Sequence, residues 1–478
     1  MTDNTRLDVP LVVDLDGTLT PLDTLHESLA NAVLGHPSGI PGMLAAMARG
    51  KGAFKSSVAR LAGPGIETLP LREEVLELVR SARDAGRTVV LATGAHVSIA
   101  DALAARVGGF DLVLATEDGR ENNVGSAKAD RLVERFGESA FDYVGDSKAD
   151  IPVWRRCREA FVVGSDSRAR RLSLASGRSL THLPPRSPGK AAWKILRPHQ
   201  WMKNLLVFLP LLTSHNLGDL SRLGSAVLMF VAFSVAASLV YIANDFFDRD
   251  SDRRNPSKAR RPIASGTLSI PRAAVLASVL LGILGAVCWQ LPWNAASSIG
   301  IYLAANAAYT IHVKRRLLAD IFLLAFMYVW RVVSGALATE VEPSIWLLGF
   351  SSFLFLSLGF AKRYAEVARL AEREQTSAAG RAWKTVDAMP LAAIGMGCGV
   401  GGSILLALYV TGTSFASLYR NASITLLLSP LFLYWITRIW IQACRLELHE
   451  DPVLFAAKDR ITYLVGLAAM AILFVASR

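Results

Sequence analysis

The sequence predicts two folds in one chain: an α/β doubly wound N-terminal domain with a small helical cap, and an all-α integral membrane domain of about nine transmembrane helices. Residues 1–190 carry the charge of an ordinary soluble protein, whereas residues 205–476 hold long apolar runs separated by short polar connections. In the first part, apolar segments such as RTVVLAT and FDYVGD end in polar residues, which is typical of parallel strands that carry a site at their carboxyl ends.

Changes in composition along the chain predict the domain boundaries. The soluble domain takes residues 1–170, and helical patterns such as HESLANAVL and REEVLELVRSARDAG predict its cap at about residues 22–85. Residues 171–196 are polar and basic with two consecutive prolines, and we predict a linker along an anionic membrane surface. The membrane domain takes residues 197–478.

Apolar runs close to the ~20 residues that cross a bilayer recur through the membrane domain. The connections between them alternate between rich and poor in Lys and Arg, so the positive-inside rule places the N-terminus inside and the C-terminus outside. The start, MTDNTRLDVP, has neither a basic region nor an apolar core and is not a secretory signal, so we expect the soluble domain on the cytoplasmic side of the inner membrane. The nine candidate spans are 205–215, 222–245, 272–291, 294–313, 318–338, 344–362, 388–411, 422–443 and 460–476.

The formal net charge of +11 is compatible with binding to nucleic acid or to a membrane surface. The basic residues cluster at the ends of apolar segments, so we predict membrane lipids, and no nucleic acid, as partners. The cysteines are scattered without C-x-x-C spacing and predict free thiols, with neither disulfides nor zinc. They are Cys157, Cys288, Cys398 and Cys444.

The densest group of charges, NDFFDRDSDRRNPSKARRPIASG at residues 244–266, directly follows the second apolar run. If the helix of that run continues past the membrane boundary, Asp245, Asp248 and Asp252 lie at i, i+3 and i+7 on one face. Three like charges repel each other unless a hard cation lies among them, and Mg²⁺ takes carboxylates together with phosphate oxygens. The alternative is a solvated loop of mixed charge. Donors for a polyanion on that metal follow in sequence, and they are Arg253, Arg254, Lys258, Arg260 and Arg261.

The pattern N-D-x-x-D-x-x-x-D from Asn244 to Asp252 resembles the first aspartate-rich motif of the UbiA superfamily of membrane prenyltransferases, over roughly residues 190–478. Aromatic prenyltransferases of this superfamily carry a second motif of D-x-x-x-D type. This chain has YTIHVKRRLLAD instead, with a single Asp320. With RPHQWMKN, WRVVSGA and AKRYAEV as further motifs, the chain closely resembles the polyprenyl-phosphate (decaprenyl-phosphate) phosphoribosyltransferases.

That resemblance implies that a phosphate oxygen of a polyprenyl phosphate attacks C1 of phosphoribosyl pyrophosphate and displaces pyrophosphate. Mg²⁺ on Asp245, Asp248 and Asp252 would neutralise the leaving diphosphate. The implied substrate contacts are Asn244 beside the metal, Lys258, Arg261 and Lys314 on the diphosphate or 5-phosphate, Tyr309 on ribose or phosphate, and Lys203, Arg331, Lys362 or Arg363 on the lipid phosphate.

Several of these residues have a second explanation. Lys203 and Lys362 are equally explained as anchors at the membrane interface. Arg331 lies within FLLAFMYVWRVVSGAL, where a guanidinium costs roughly 3 kcal/mol or more in lipid unless it faces a polar cavity.

LVVDLDGTLT at residues 11–20 is an apolar strand that ends in D-x-D-G-T, and it resembles the first motif of haloacid dehalogenase-type phosphatases. The resemblance covers about residues 8–170. The other motifs follow in the expected order, with Thr93 in VVLATG, Lys128 in GSAKADRL, and Asp146 and Asp150 in DYVGDSKAD.

The phosphatase resemblance implies a role for each motif residue. Asp14 is the nucleophile, and Asp16 protonates the leaving oxygen and later activates water. Mg²⁺ would be bound by Asp14, by Asp16 through its carbonyl, and by Asp146, with Asp150 in support. Thr93 and Lys128 hold the transferring oxygens. An inactive relic of the fold is the alternative, although neither the nucleophile nor the lysine is missing.

Together the two resemblances imply consecutive reactions. The transferase product carries ribose 5-phosphate on a lipid, and a tethered phosphatase meets it at high effective concentration. Its dephosphorylated product, polyprenyl-phosphoryl ribose, is a precursor of arabinofuranosyl donors for cell wall arabinan. Three alternatives stay open: an aromatic prenyltransferase, a transporter or scaffold, and a soluble domain that acts on an unrelated phosphate.

Overall fold

The computed structural model describes residues 9–117, 122–184, 191–214, 216, 218–372, 382–448, 452–456 and 458–478. The chain forms two compact units. The first unit contains Met1–Ile195 and Ile242–Ala277, and the second contains Leu196–Tyr241 and Ser278–Arg478. The charged stretch that follows the second apolar run therefore belongs to the same unit as the soluble domain.

Six parallel strands in the order β3-β2-β1-β4-β5-β6 form the centre of the soluble domain. Leu11 and Val13 of β1 lie in the hydrophobic cluster on one face with Leu91. Val12 lies with Val90 in the cluster on the other face, as the side-chain period of two requires when both faces are covered. The strands are β1 Leu11–Val13, β2 Val89–His96, β3 Leu112–Thr116, β4 Asp142–Gly145, β5 Ala160–Val163 and β6 Thr181–Leu183.

Helices cover both faces of this sheet, which confirms the doubly wound fold. Val75, Val79 and Leu103 pack on one face, and Leu132, Val153 and Leu172 pack on the other. These residues belong to helices α4 Glu73–Asp84, α5 Val97–Val107, α6 Ser126–Phe136, α7 Ile151–Trp154 and α8 Asp166–Ser176.

The cap is smaller than predicted. Its helices α1 Thr24–Gly35, α2 Ile40–Ala48 and α3 Lys51–Leu61 pack on one another around Ala32, Met43 and Val58. Helix α4 was expected in the cap, but its apolar face joins the core of the sheet. The cap therefore spans residues 24–61 rather than 22–85, because an amphipathic pattern predicts a helix without indicating which core it joins.

The first part of the predicted linker belongs to the sheet. Helix α8 and strand β6 occupy most of residues 166–183, and β6 pairs in parallel with β5. Ala169 and Leu172 of the helix are buried, which ties it to the sheet. Strand β6 has only three residues, THL, and so short a segment shows no hydrophobic period. Residues 185–190 of the predicted linker lie outside the described part of the chain.

The chain has the membrane helices of a multi-pass membrane protein. Seven helices among the described residues are long and apolar enough to cross a bilayer, compared with the nine spans predicted. They are α11 Leu220–Phe247, α13 Ile270–Cys288, α15 Ala319–Thr339, α16 Ile345–Glu372, α21 Arg460–Ser477, and the helical stretches Thr385–Thr411 and Ala422–Cys444, which contain α17 Ala388–Thr411 and α19 Leu428–Cys444.

The other two predicted spans differ from these seven. Within the predicted span 205–215, the described residues end a 3₁₀ helix, Pro198–Phe208, and form a five-residue α-helix, Leu209–Thr213, so this prediction of a span was wrong. Helix α14 Trp293–Ile311 is present with 19 residues, but it is less apolar because it contains Asn and Ser side chains. The remaining short helices are α9 Ala191–Leu196, α10 Leu209–Thr213, α12 Arg249–Arg254, α18 Thr413–Ala416 and α20 Pro452–Ala456.

Close packing joins the helices of the second unit. Gly395 of α17 lies where a larger residue would not fit. A Cβ there would lie 2.2 Å from the ring of Trp440 and 2.6 Å from Phe360. Small residues of this kind let apolar helices approach each other where no hydrophobic effect drives them together.

Asp142, at the start of β4, is a fully buried carboxylate. Arg158 donates to it from Nε at 2.9 Å and from Nη2 at 2.8 Å, and Arg87 donates from Nη2. Burial alone would raise the pKa of Asp142, but the hydrogen bonds from Arg158 and Arg87 outweigh it and lower that pKa. The ionised carboxylate therefore stabilises the fold.

We expect Asp142→Asn to lower the midpoint of thermal unfolding of the soluble domain by roughly 4–8 °C at pH 7. Because the folded pKa lies below the unfolded value of about 3.9, the difference from wild type should shrink as the pH falls below about 4. Calorimetry of the full chain in detergent measures both effects. Asp130→Asn is the control, since Asp130 also pairs with an arginine but has a side chain that is 69% exposed. Equal shifts for the two variants would contradict the prediction.

Candidate active sites

The carboxyl ends of β1, β2 and β4 bring together the phosphatase-like motif residues of the soluble domain. One oxygen each from Asp14, Asp146 and Asp150 lies within 4.8 Å of the other two. Thr93 of β2 is fully buried, and its Oγ1 accepts a hydrogen bond from the backbone N–H of Ala95 at 2.9 Å. Parallel strands that end at one edge of the sheet explain why residues far apart in sequence meet here.

Lys128 of α6 reaches this cluster from the neighbouring helix. Its Nζ donates to Asp14 Oδ1 at 2.8 Å and to the Tyr143 hydroxyl at 3.0 Å. The Tyr143 hydroxyl in turn donates to Asp150 Oδ1 at 2.7 Å. Tyr143 was missed in the sequence, because a tyrosine within a buried strand has the pattern of an ordinary core residue.

Asp150 supports the loop that presents Asp146. Its Oδ2 accepts hydrogen bonds from the backbone N–H groups of Asp146 at 3.2 Å and Ser147 at 3.0 Å. Asp146 also receives a hydrogen bond from Arg168 Nη1 at 2.9 Å. On the opposite side Gly17 has a φ of +78°, and a Cβ there would lie 2.6 Å from the Asp146 carboxyl group. The Asp146 carboxylate is thus bounded by Arg168 and Gly17, and one of its oxygens lies within 4.8 Å of an oxygen of Asp14.

The cluster concentrates negative charge in a buried place. Burial raises the pKa of Asp14 to about 7, with Lys128 lowering it and the charge of Asp150 raising it further. Burial also raises the pKa of Asp146 to about 7, and Asp150 adds to the shift. Buried carboxylates whose ionisation is opposed by burial and by each other's charge are suited to a hard divalent cation, so the residues present fit Mg²⁺.

Asp16 lies where the cap begins. Its Oδ1 accepts a hydrogen bond from the backbone N–H of Thr24 at 2.8 Å, in the first turn of α1. Burial raises the pKa of Asp16 to about 6, and the neighbouring Asp23 raises it further. A carboxyl group with such a pKa holds and releases a proton near neutral pH, which suits a general acid and base.

The cap contributes a cation that the sequence did not indicate. Lys55 of α3 donates from Nζ to the Gly94 carbonyl at 2.7 Å and to Asn122 Oδ1 at 3.0 Å. It lines a cavity of about 630 Å³ that also contains Asp14, Asp16 and Asp146. The cap carries no phosphatase motif, so single-sequence reasoning had no signal for this lysine.

The second predicted site is the aspartate segment, defined as residues 244–272. Helix α11 ends at Phe247 and α12 begins at Arg249. The helical hydrogen bonds nevertheless continue, from Asp248 N–H to the Asn244 carbonyl at 2.9 Å and from Asp252 N–H to the Asp248 carbonyl at 2.8 Å. The helical turn is therefore continuous from Asn244 to Asp252, as the predicted i, i+3, i+7 arrangement requires.

Asp245 and Asp252 are both buried and converge on one arginine. Arg261 Nη1 lies 3.4 Å from Asp245 and 2.7 Å from Asp252. Within the described residues, the aspartates of this segment do not form a three-carboxylate cluster as tight as the one around Asp14. Asp250, which does not share the face of these aspartates, pairs with Arg253 at 3.1 Å.

Glu27 of the cap contacts the aspartate segment, and no pattern in the sequence indicates this contact. The Glu27 side chain is 1% exposed and lies 3.4 Å from Arg249 Nε and 3.0 Å from Arg253 Nη2, both of which are 2% exposed. Arg249 also donates to Asn31 Oδ1, in the same cap helix. Three buried charges thus join two stretches that lie 222 residues apart in sequence.

In the second unit, two predicted arginines occupy separate polar networks. Arg331 donates from Nε to Asn204 Oδ1 at 2.9 Å and from Nη2 to the Tyr302 hydroxyl at 3.2 Å. Arg363 donates from Nε to Asp320 Oδ2 at 2.7 Å and from Nη2 to the Tyr309 hydroxyl at 2.8 Å. Asn204, Tyr302 and Asp320 had not been predicted as partners.

The predicted lysines have different surroundings. Lys203 Nζ lies 5.7 Å from the centre of the Tyr328 ring. Lys314 lies in a short 3₁₀ helix, Val313–Arg315, and Lys362 is half-buried in α16. Lys258 of the aspartate segment is exposed.

Residues 206–457 match the UbiA prenyltransferase family, and residues 11–155 match the haloacid dehalogenase-like hydrolases. The chain belongs to the UbiA prenyltransferase family. Its N-terminal domain is haloacid dehalogenase-like, and two enzyme domains in one chain indicate an enzyme. We call these parts the UbiA domain and the hydrolase domain.

Three relatives illustrate the similarity. The uncharacterized protein y4nM of Sinorhizobium fredii is 32% identical over 96% of this chain and 89% of its own length. The nodulation protein NoeC of Azorhizobium caulinodans is 30% identical over 57% of this chain and 89% of its own. The decaprenyl-phosphate phosphoribosyltransferase of Mycobacterium tuberculosis is 38% identical over 40% of this chain and 64% of its own.

We expect Mg²⁺ to raise the midpoint of thermal unfolding of the hydrolase domain more at pH 8 than at pH 5.5. The pKa values of about 7 for Asp14 and Asp146 lie above the unfolded value, so ionising the cluster costs stability as the pH rises, and a cation offsets that cost. Calorimetric titration of the full chain with MgCl₂ measures the shifts.

Asp146→Asn should abolish most of the Mg²⁺ effect at pH 8. Asp84→Asn, an exposed change elsewhere in the hydrolase domain, should retain it. A shift in wild type that is equal at both pH values, or one that Asp146→Asn leaves unchanged, would count against a metal site in this cluster.

Proposed function

We propose that the chain makes a lipid-linked ribose in two steps. The UbiA domain transfers 5-phosphoribose from phosphoribosyl pyrophosphate to a polyprenyl phosphate, and the hydrolase domain then removes the 5-phosphate to give polyprenyl-phosphoryl ribose. Similarity to a decaprenyl-phosphate phosphoribosyltransferase over 40% of the chain supports the first step. A complete set of phosphatase motif residues around Asp14 supports the second.

The observation that carries the transferase half is the environment of Asp320. Aromatic prenyltransferases hold a prenyl diphosphate with metals on two acidic motifs, and Asp320 is the single aspartate of YTIHVKRRLLAD. It is fully buried and accepts from Arg363 Nε at 2.7 Å and Trp383 Nε1 at 3.1 Å. Because Asp320 already accepts these hydrogen bonds from the protein, its environment favours a single metal site, in the aspartate segment, over the two metal sites of the aromatic enzymes.

Residues of the aspartate segment would bind the sugar donor. Asp245, Asp248 and Asp252 would hold Mg²⁺, which supplies charge neutralisation for the departing pyrophosphate. Arg261, which contacts Asp245 and Asp252, would donate to the diphosphate that this metal holds. The lipid phosphate oxygen then forms the bond to C1 as the bond to pyrophosphate breaks.

The remaining predicted contacts divide into three groups. Arg331 and Arg363 are buried and bonded to protein partners, and these contacts favour a role in fixing the helices of the second unit. Lys203, Lys314 and Lys362 remain the proposed contacts of the lipid phosphate or the donor phosphates. Asn244 keeps its proposed place beside the metal, Lys258 its place on the diphosphate or 5-phosphate, and Tyr309 its place on the ribose or a phosphate.

In the hydrolase domain, Asp14 attacks the phosphorus atom of the 5-phosphate. Lys128, 2.8 Å from Asp14, and Thr93 stabilise the negative oxygens of the phosphoryl group as the bond to the ribose oxygen breaks. Asp16 protonates that oxygen, then removes a proton from the water that hydrolyses the phosphoaspartate and restores Asp14. Mg²⁺ on Asp14, Asp146 and the Asp16 carbonyl would neutralise charge on the phosphate. We place both sites on the cytoplasmic side of the inner membrane.

Asp245→Asn is expected to lower phosphoribosyl transfer by a factor on the order of 10²–10³, because it removes a buried carboxylate from the proposed metal site. Membranes containing the chain are incubated with polyprenyl phosphate, Mg²⁺ and labelled phosphoribosyl pyrophosphate, and the labelled lipid is quantified. Asp219→Asn, a partly exposed change in the second unit, is the control. Full transfer by Asp245→Asn would overturn the assignment, and incorporation of labelled prenyl diphosphate into an aromatic acceptor would favour the aromatic alternative.

Asp14→Asn should reduce phosphate release by a factor on the order of 10³ or more while transfer continues, because the nucleophile is lost and the UbiA domain is unchanged. The labelled lipid should then retain its 5-phosphate, which chromatography with and without added phosphatase reveals. Identical lipids from wild type and Asp14→Asn would show that the hydrolase domain acts on another phosphate.

A further inference from the structure

The cavity of the hydrolase domain has one wall made by the aspartate segment. Gly266, Thr267, Ser269 and Arg272 line the same 630 Å³ cavity as Asp14 and Asp146. All of them belong to the first unit. The stretch that matches the hydrolase family, residues 11–155, does not contain these four residues.

The wall packs directly on the loop that carries the catalytic aspartates. Gly266 has a φ of +74°, and a Cβ there would lie 2.8 Å from Pro21 Cγ and 2.9 Å from Leu22 Cδ2. Pro21 and Leu22 follow Asp14 and Asp16 by a few residues. A larger residue at position 266 would therefore displace either the wall or the aspartate loop.

Buried ion pairs hold the wall in place. Arg253, paired with Glu27 of the cap, also donates from Nε to the Ala264 carbonyl at 3.0 Å. Ala264 lies two residues before Gly266. Arg253 thus connects Glu27 of the cap helix to Ala264 of the cavity wall. The side chains of Glu27 and Arg253 are 1% and 2% exposed.

Most cations that line the cavity are bonded to the protein. Lys128 contacts Asp14 and Arg168 contacts Asp146. Arg72 donates to the Gly17 carbonyl at 3.2 Å, and Lys55 donates to the Gly94 carbonyl. These groups compensate the carboxylates and backbone around the reacting phosphate.

Arg272 differs from these four cations. Within the described part of the chain, its guanidinium makes neither an ion pair nor a hydrogen bond, and the side chain is exposed at the cavity. It lies in the first turn of α13, a helix that is long and apolar enough to cross a membrane. A guanidinium at this place is suited to a second anionic group of a substrate that is anchored in lipid.

We propose that the aspartate segment completes the phosphatase site and that Arg272 determines its specificity by binding the phosphodiester of a lipid-linked phosphosugar. This inference rests on the proposed function. The substrate class is a membrane-anchored phosphodiester that also bears a terminal phosphomonoester. The monoester lies at Asp14, and the diester between sugar and lipid lies at Arg272, with Thr267 and Ser269 beside it.

The test compares two substrates on the full chain in detergent. One is the lipid-linked phosphoribose made by the Asp14→Asn variant, and the other is p-nitrophenyl phosphate, which has no second anion. Arg272→Gln should raise KM for the lipid by about 10- to 100-fold, as expected for one charge-assisted hydrogen bond, and change its kcat little. The kinetics with p-nitrophenyl phosphate should stay unchanged, and Arg272→Lys should restore part of the lipid KM.

Arg80→Gln provides the matched control, because it removes the same charge from an exposed position outside the cavity. It should leave both substrates unaffected. Equal KM values for wild type and Arg272→Gln with the lipid would overturn the proposal, as would a parallel loss with both substrates, which indicates a structural or membrane-anchoring role. If wild type hydrolyses p-nitrophenyl phosphate but not the lipid, the proposed function of the hydrolase domain itself fails.

Discussion

The carboxylate of Glu27, enclosed between the guanidinium groups of Arg249 and Arg253, is the interaction on which the first unit depends. Charges buried this deeply are stable only as a set, because removing one partner leaves the others without solvent or compensation, at a cost of about 3–5 kcal/mol. The set therefore fixes the cap against the aspartate segment in one arrangement. Both candidate sites use that segment, one through Asp245 and Arg261 and the other through Thr267 and Arg272.

Buried charge is compensated differently around Asp14. There the carboxylates of Asp14, Asp146 and Asp150 outnumber the two cations that contact them, Lys128 and Arg168, and burial raises the pKa values of Asp14 and Asp146 to about 7. A stable fold tolerates this excess charge because protons or a divalent cation compensate it. Around Asp142 the hydrogen bonds from Arg87 and Arg158 lower the carboxylate pKa instead, because there the cations outnumber the carboxylate.

Sequence reasoning predicted the fold class and the residues of the Asp14 cluster, because motif order and parallel strands together determine which residues meet at one edge of a sheet. It failed where a contact depends on tertiary packing. Glu27 and Arg249 are 222 residues apart and carry no local pattern, and Tyr143 has the pattern of a core residue. The predicted cap boundary differs from the observed one for a related reason, since the amphipathic pattern of α4 does not indicate which core the helix joins.

The most direct measurement of the central claim uses phosphoribosyl pyrophosphate labelled with ¹⁴C in the ribose and ³²P in the 5-phosphate. Membranes containing the wild-type chain receive polyprenyl phosphate, Mg²⁺ and this donor, and the label ratio in the lipid is followed with time. Both labels should enter the lipid in equal amounts, after which ³²P should leave as inorganic phosphate while ¹⁴C remains. A lipid that gains neither label, or one whose label ratio stays constant, would contradict consecutive transfer and dephosphorylation by one chain.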